Sequence, residues 1–274
     1  MKGKKIAGLA LAALLVCLFL LVYTRAGEEA VLPDKQESAL TETPQPVSSD
    51  VPAPELTPEP SPEPPPAPSP EPSPEPEPDL PDIDLDSWEY RLVNKDSLLE
   101  KDYESPLTEL EGGQYFDSRA VDALKEFIAA ARNEGLTVIL RSSYRSYATQ
   151  EYLFNRKLAE KQQSGLPYEE AYAAASRIVA VPGTSEHQLG LACDIVDGHY
   201  EYLNESLAET KLLTWMRENC AKYGFIVRYP EDKQEVTGIM YEPWHFRYVG
   251  NEAAEYIMEH GLCLEEFIDL YRNR

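Results

Sequence analysis

The sequence from about Trp88 to Arg274 predicts an α+β domain with a small, mainly antiparallel sheet flanked by helices. Three observations carry this. Between residues 118 and 134, Val121, Leu124, Phe127, Ile128 and Ala131 fall on one face at helical spacing. Leu136 to Leu140 is short, branched and apolar, the composition of a buried strand. Gly190 to Val196 reads as a second strand that carries polar residues on one side.

The remaining elements can be placed in chain order. Asp117 or Ser118 can cap the first helix and Gly135 ends it. The strand after it runs into a polar turn, 141–145, and further helices are expected over 147–161 and 168–179. The turn Pro182-Gly183-Thr184 precedes the polar strand, and a helix is expected over 207–223. Residues 225–228 and 239–248 read as strands separated by a charged loop, and helices over 252–259 and 264–271 close the chain.

The N-terminal third has a different composition. Residues 6–23 are apolar and uncharged, preceded by Lys2, Lys4 and Lys5 and followed by Arg25, just enough to span a bilayer. Residues 1–26 are thus a membrane anchor or a signal peptide. The length of the run and the weak cleavage pattern at Thr24-Arg25-Ala26 favour one N-terminal transmembrane helix. Either reading exports the C-terminal domain. Cys17 lacks the small preceding residue of a lipidation signal and reads as membrane-buried packing.

Residues 27–87 are dominated by Pro, Glu, Asp and Ser and cannot bury enough apolar surface to fold, so they read as a disordered stalk. Proline at nearly every second position favours polyproline II, in which forty residues reach roughly 120 Å. The stalk holds sixteen acidic residues against one lysine, so it carries fifteen of the chain's 23 net negative charges. The acidity reflects solvation of the stalk and argues against a nucleic-acid partner. Cys193, Cys220 and Cys263 fit neither a disulfide scaffold nor a zinc ribbon; a Cys220–Cys263 bridge is the one pairing left open.

The chemistry lies in two short segments. Ser185-Glu186-His187-Gln188-Leu189-Gly190-Leu191-Ala192-Cys193-Asp194 holds an imidazole and a carboxylate close enough for one turn and strand to bring both to one ion. Glu242-Pro243-Trp244-His245 supplies a second imidazole with a carboxylate three residues before it. Two His and one Asp make a three-ligand set for catalytic Zn²⁺, with a fourth position left for water. Zinc lowers the pKa of bound water toward about 7, and a nearby Glu242 can take its proton and pass it to the leaving amine. Taken singly, each residue has a plainer use: an Asp at a strand end caps a turn, and a His beside Trp packs in a core.

The first segment resembles the Ser-x-His-x-x-Gly-x-Ala-x-Asp motif of VanY-type D-alanyl-D-alanine carboxypeptidases, and Glu242 to His245 is similar to their Glu-x-x-His motif. A third block, Arg141 to Gln150, is similar to their Tyr-Arg-Ser segment, and the three stand in the family's order over 136–248. Ser143, Leu189 and Cys193 depart from the common pattern, but none is a proposed ligand. The resemblance implies a hedgehog/DD-peptidase-like fold with zinc in a cleft on the sheet. It implies His187, Asp194 and His245 as ligands to one Zn²⁺ and Glu242 as catalytic base. Arg145, Gln150 and Ser185 would face the substrate, Arg145 pairing with the terminal carboxylate or stabilising the oxyanion.

The implied reaction removes the C-terminal D-amino acid, D-alanine, from peptidoglycan stem peptides, by a monomer held at the cell membrane with its catalytic domain facing the wall. An L,D-carboxypeptidase or a peptidoglycan endopeptidase uses the same motifs, and a non-catalytic wall-binding or partner-binding module is a reading of another class; the retained Glu242 argues against that last one. His199 lies outside the motifs, and His260 reads as a helix C-terminal cap.

Overall fold

The computed structural model describes residues 80–200 and 202–273. Within them the strands are β1 (Leu107–Leu110), β2 (Gln114–Asp117), β3 (Ile139–Ser142), β4 (Ala192–Val196), β5 (Phe225–Val227) and β6 (His245–Tyr248). Among the described residues seven α-helices accompany them: α1 (Val121–Asn133), α2 (Tyr147–Gln163), α3 (Tyr168–Ser176), α4 (Lys211–Asn219), α5 (Gln234–Thr237), α6 (Asn251–Glu259) and α7 (Leu264–Arg272). A hairpin joins β1 to β2, and β3-β4-β6-β5 form a four-stranded sheet with every pairing antiparallel. The α+β expectation holds.

The sheet's two faces have separate tasks because side chains alternate along a strand. Cys193 and Ile195 of β4 and Phe246 of β6 point into the main core, where Phe127 of α1 stacks on Phe225 at 5.3 Å and meets Phe246 edge-on at 5.6 Å. Asp194 and His245, in register across β4 and β6, take the opposite parity, as does Arg247 opposite Ala192. That second face carries the polar site. A second core gathers α6 and α7 with Ile226, and a third joins α2 to α3 through Phe154, Leu158, Ala171 and Ala175.

Several expected boundaries move, each for a local reason. The 136–140 strand becomes β3 at 139–142, because the Leu136 amide closes the end of α1 on Ala131 O at 3.2 Å. It is an edge strand with Ile139 exposed, not a buried one. Of 239–248 only β6 pairs: Pro243 lacks an amide, and the Met240 and Glu242 amides bond Arg177 O and Tyr229 O. The 207–223 helix divides into a 3-10 turn (Glu205–Glu209), α4 capped by Thr210 Oγ1, and a second 3-10 turn (Cys220–Tyr223). The 168–179 helix ends at Ser176.

Neither Asp117 nor Ser118 caps α1. Ala120 occupies the N-cap, and Asp117 binds the Arg119 amide and guanidinium instead. The β1–β2 hairpin, turned at Gly112-Gly113 with both φ positive, goes beyond the sequence expectation, because its strands are short and partly polar.

Cys193, Cys220 and Cys263 are free and buried, so the Cys220–Cys263 bridge is not formed; burial pushes the Cys220 and Cys263 thiols up to about 12. Residues assigned to the stalk take part in packing from Leu80 onward: Leu80, Ile83 and Leu85 lie against the second core, and Tyr271 donates to Pro81 O at 2.6 Å. The anchor or signal segment and most of the stalk lie outside the described residues. Among the described residues no helix is long and apolar enough to cross a membrane.

Candidate active site

Local chain geometry brings the three expected ligands together. Asp194 and His245 are direct cross-strand partners, the position at which side chains on one sheet face meet. His187 arrives from a 3-10 turn, Glu186–Leu189, that folds back before β4 and ends at Gly190 with φ 74°. Only glycine suits that position, since a Cβ there would lie 3.0 Å from Leu107 Cδ2 and 3.3 Å from the Asp117 amide nitrogen. Glu242 is brought beside His245 by a tight turn with Pro243 second, closed by His245 N donating to Glu242 O at 3.1 Å.

His187 Nε2 lies 3.3 Å and His245 Nδ1 3.0 Å from Asp194 Oδ1, and the three ligand atoms all fall within 4.8 Å of one another. The two imidazole rings stand almost perpendicular at 4.9 Å, so their nitrogens approach one point from different directions. His187 Nδ1 lies 2.6 Å from Ser143 O; a carbonyl only accepts, so Nδ1 carries the proton and Nε2 keeps a free lone pair. That Nε2 is buried without a hydrogen-bond partner among the described residues. A buried orphaned nitrogen beside a carboxylate and a second imidazole fits a cation bound at this point.

The electrostatics point the same way. Burial, aided by Arg145, pushes His187 down to about 4, so it is neutral and ready to ligate. Burial alone would raise Asp194, but His187, His245 and Arg145 hold it well below the usual carboxylate range. Burial opposes charge on His245 too, yet Asp194 and Glu186 prevail and lift it to about 9. Glu242 Oε2 lies 3.7 Å from His245 Nδ1, and burial raises its carboxyl to about 8. A bound cation would draw that value back down.

The other expected residues divide. Arg145, with 17% of its side chain exposed, donates from Nη2 to Asp194 Oδ2 at 2.8 Å and from Nε to Ser142 Oγ at 2.9 Å. It lines a cleft of about 470 Å³ together with Ser185, Glu242 and the three ligand residues. Gln150 is not among the residues that line the cleft. It is fully buried; its Oε1 accepts from Arg145 Nη1 at 2.9 Å and its Nε2 donates to Ala180 O at 2.7 Å, so it fixes Arg145. His199 is exposed, and His260 ends α6 with Nδ1 2.9 Å from Tyr256 O.

Glu186 was missed by sequence reasoning. Fully buried, its Oε1 accepts from Arg228 Nε at 2.8 Å and Arg247 Nη1 at 2.7 Å, while Oε2 faces His245 Nε2 at 3.8 Å. Glu265 completes the group by pairing in a bidentate manner with Arg228. The signal was present as a carboxylate beside a ligand histidine, but nothing local shows which way it turns.

Two imidazoles and a carboxylate converging beside a buried glutamic acid, in an open cleft on an antiparallel sheet, define a mononuclear zinc hydrolase. The model of the family described as VanY: D-alanyl-D-alanine carboxypeptidase matches residues 113–251. A D-alanyl-D-alanine carboxypeptidase of Enterococcus faecalis is 43% identical over 187 residues, 68% of each chain. The crystal structure of a vancomycin-resistance D,D-pentapeptidase VanY from a VanB-type cassette, in complex with Zn(II), is 42% identical with a TM-score of 0.60, covering 66% of this chain and 99% of that one. The LdcB LD-carboxypeptidase is 39% identical with a TM-score of 0.56, covering 65% and 84%. The chain belongs to the VanY D-alanyl-D-alanine carboxypeptidase family and is a zinc metallocarboxypeptidase.

Proposed function

We propose that this chain removes the C-terminal D-alanine from peptidoglycan stem peptides, with His187, Asp194 and His245 holding one zinc ion and Glu242 serving as base. The observation that carries the assignment is the convergence of His187 Nε2, Asp194 Oδ1 and His245 Nδ1 beside the Glu242 carboxyl. Zinc supplies Lewis acidity and lowers the pKa of the attacking water. Glu242 takes the water's proton and returns it to the leaving amine. Arg145, braced by Gln150 and Ser142, presents its guanidinium to the substrate's terminal carboxylate or to the developing oxyanion. Ser185 lines the same cleft and offers a hydroxyl to the peptide.

All of these residues come from one chain, which supports a monomer as the working unit. The apolar segment 6–23 and the proline-rich stretch after it support an exported enzyme tethered at the membrane and reaching into the wall. The test is D-alanine release by the full chain from purified pentapeptide and tetrapeptide stems, with and without zinc, beside Glu242→Ala. Release from pentapeptide that needs both zinc and Glu242 is expected. Preference for tetrapeptide would move the reading to an L,D-carboxypeptidase, and zinc binding without release from either would leave an endopeptidase or a binding module.

A further inference from the structure

The chain as a whole carries 23 net negative charges, yet the cleft is lined by four cations, Arg141, Arg145, Arg156 and Lys157, against only Asp194 and Glu242. Both carboxylates belong to the zinc site, and Arg145 is tied to Asp194. The other three cations line the same cleft outside that cluster and have no part in the chemistry above.

Their placement is built into the backbone. On β3, Leu140 pairs with Ile195 and Ser142 with Asp194, leaving Arg141 unpaired between them as a bulge. A bulge on an edge strand re-aims its side chain, and here it sits one residue from the position opposite a zinc ligand. On α2, Leu153, Arg156 and Lys157 keep the i, i+3, i+4 spacing of one helix face, and all three line the cleft. Among the described residues no carboxylate forms an ion pair with Arg141 or Arg156; Arg156 lies over the Tyr152 ring at 5.9 Å and acts on exposed Glu160 only at longer range. Lys157 holds exposed Glu160 at 2.7 Å, a surface pair easily exchanged for another anion.

We infer that Arg141 and Arg156, assisted by Lys157, form an anion subsite that takes a free carboxylate of the stem peptide on the acyl side of the scissile bond. The inference rests on the carboxypeptidase reading and narrows its substrate class. With the terminal residue at the zinc cluster, the acyl chain extends along the cleft, and two or three residues reach roughly 10 Å. Two carboxylates are available over that reach: the α-carboxylate of a γ-linked D-glutamate at the second position, and the side-chain carboxylate of a diaminopimelate at the third. Amidation removes either charge without altering the scissile bond. The enzyme therefore acts on unamidated stems in preference to amidated ones.

The test compares four pentapeptides with the zinc-loaded full chain: unmodified, amidated at the second position, amidated at the third, and amidated at both. The unmodified peptide is expected to exceed the doubly amidated one roughly tenfold in kcat/KM, carried by KM, because the contact is made equally in ground and transition states. The single amidation that removes the preference identifies which carboxylate is held. In Arg141→Gln/Arg156→Gln the ratio between free and amidated peptides falls to about one, and high salt shrinks it in the wild type. Because the ratio is taken within one protein sample, a loss of folded variant does not mimic this result. Equal kcat/KM on all four peptides, or an unchanged ratio in the double variant, would overturn the subsite. D-alanine release from none of the four would instead remove the carboxypeptidase reading on which it rests.

Discussion

Two clusters of buried charge share one face of the sheet, and they are built on opposite plans. In the first, Glu186, Arg228, Arg247 and Glu265 answer one another: two guanidiniums meet two carboxylates, and Arg247 Nη2 is further satisfied by the carbonyls of Glu89 and Arg91. In the second, His187, Asp194, His245 and Glu242 gather acceptors and lone pairs around a point open to the cleft, with Arg145 the sole permanent cation among them. The first cluster contains its own counter-charge; the second is completed from outside. That difference separates a structural ionic core from a site for a metal cation. Glu186 bridges them, its Oε2 facing His245 Nε2 at 3.8 Å.

The sharpest break comes from Glu242→Gln, which removes a proton acceptor without disturbing either cluster's cations. D-alanine release should fall by about a thousandfold while zinc stoichiometry, read by atomic absorption, stays at one. Loss of the metal along with the activity would place Glu242 among the ligands instead.

Arg228→Met attacks the closed cluster. Removing one member of a buried ionic group leaves charge uncompensated and costs about 3–5 kcal/mol, a loss measurable by urea denaturation. Chelating zinc from the wild type should leave the fold standing, because the second cluster's ligands lie on strands and turns held by the aromatic core. Chelation that unfolds the domain would erase the distinction.

Glu186→Gln probes the bridge. A carboxylate facing a ligand imidazole holds its orientation and basicity, so zinc affinity should drop roughly ten- to hundredfold in competition with a chelator. An unchanged affinity would assign Glu186 wholly to the closed cluster.

The smallest expected effect is on pH dependence. In the zinc-free protein His245 is raised from 6.5 to about 9, so the stability it contributes is full below 6.5 and lost as pH rises through 9. Glu242, raised from 4.5 to about 8, has the same sign: the fold favours its protonated form, an advantage lost as pH rises through 8. Thermal melts of zinc-free protein should therefore weaken from pH 7 to 9. Zinc, whose ligands must give up protons, should flatten the trend and release protons detectable by calorimetry in two buffers.

Much of the site was legible along the chain because its parts are local. Ser185 to Asp194 spans one turn and one strand, and Glu242 to His245 one turn, so spacing alone brings each set close together. The helices α1, α2, α6 and α7 were readable from their periodicity for the same reason. The direction Gln150 takes was not legible, because its position on the first turn of α2 is equally compatible with the cleft and with the core. Packing against Ala180 turns it inward.

What the sequence determined by itself was the α+β class, the zinc carboxypeptidase family, and the separation of a proline-rich, acidic stretch from the rest of the chain. What only the tertiary structure decided was everything set by pairing between distant segments. Examples are the β4–β6 register that puts Asp194 against His245, the bulge that frees Arg141, and the burial of Glu186 among Arg228, Arg247 and Glu265. The physical reason is that spacing and periodicity act over one turn or strand, whereas a buried charge finds its partner only when the sheet closes and excludes water.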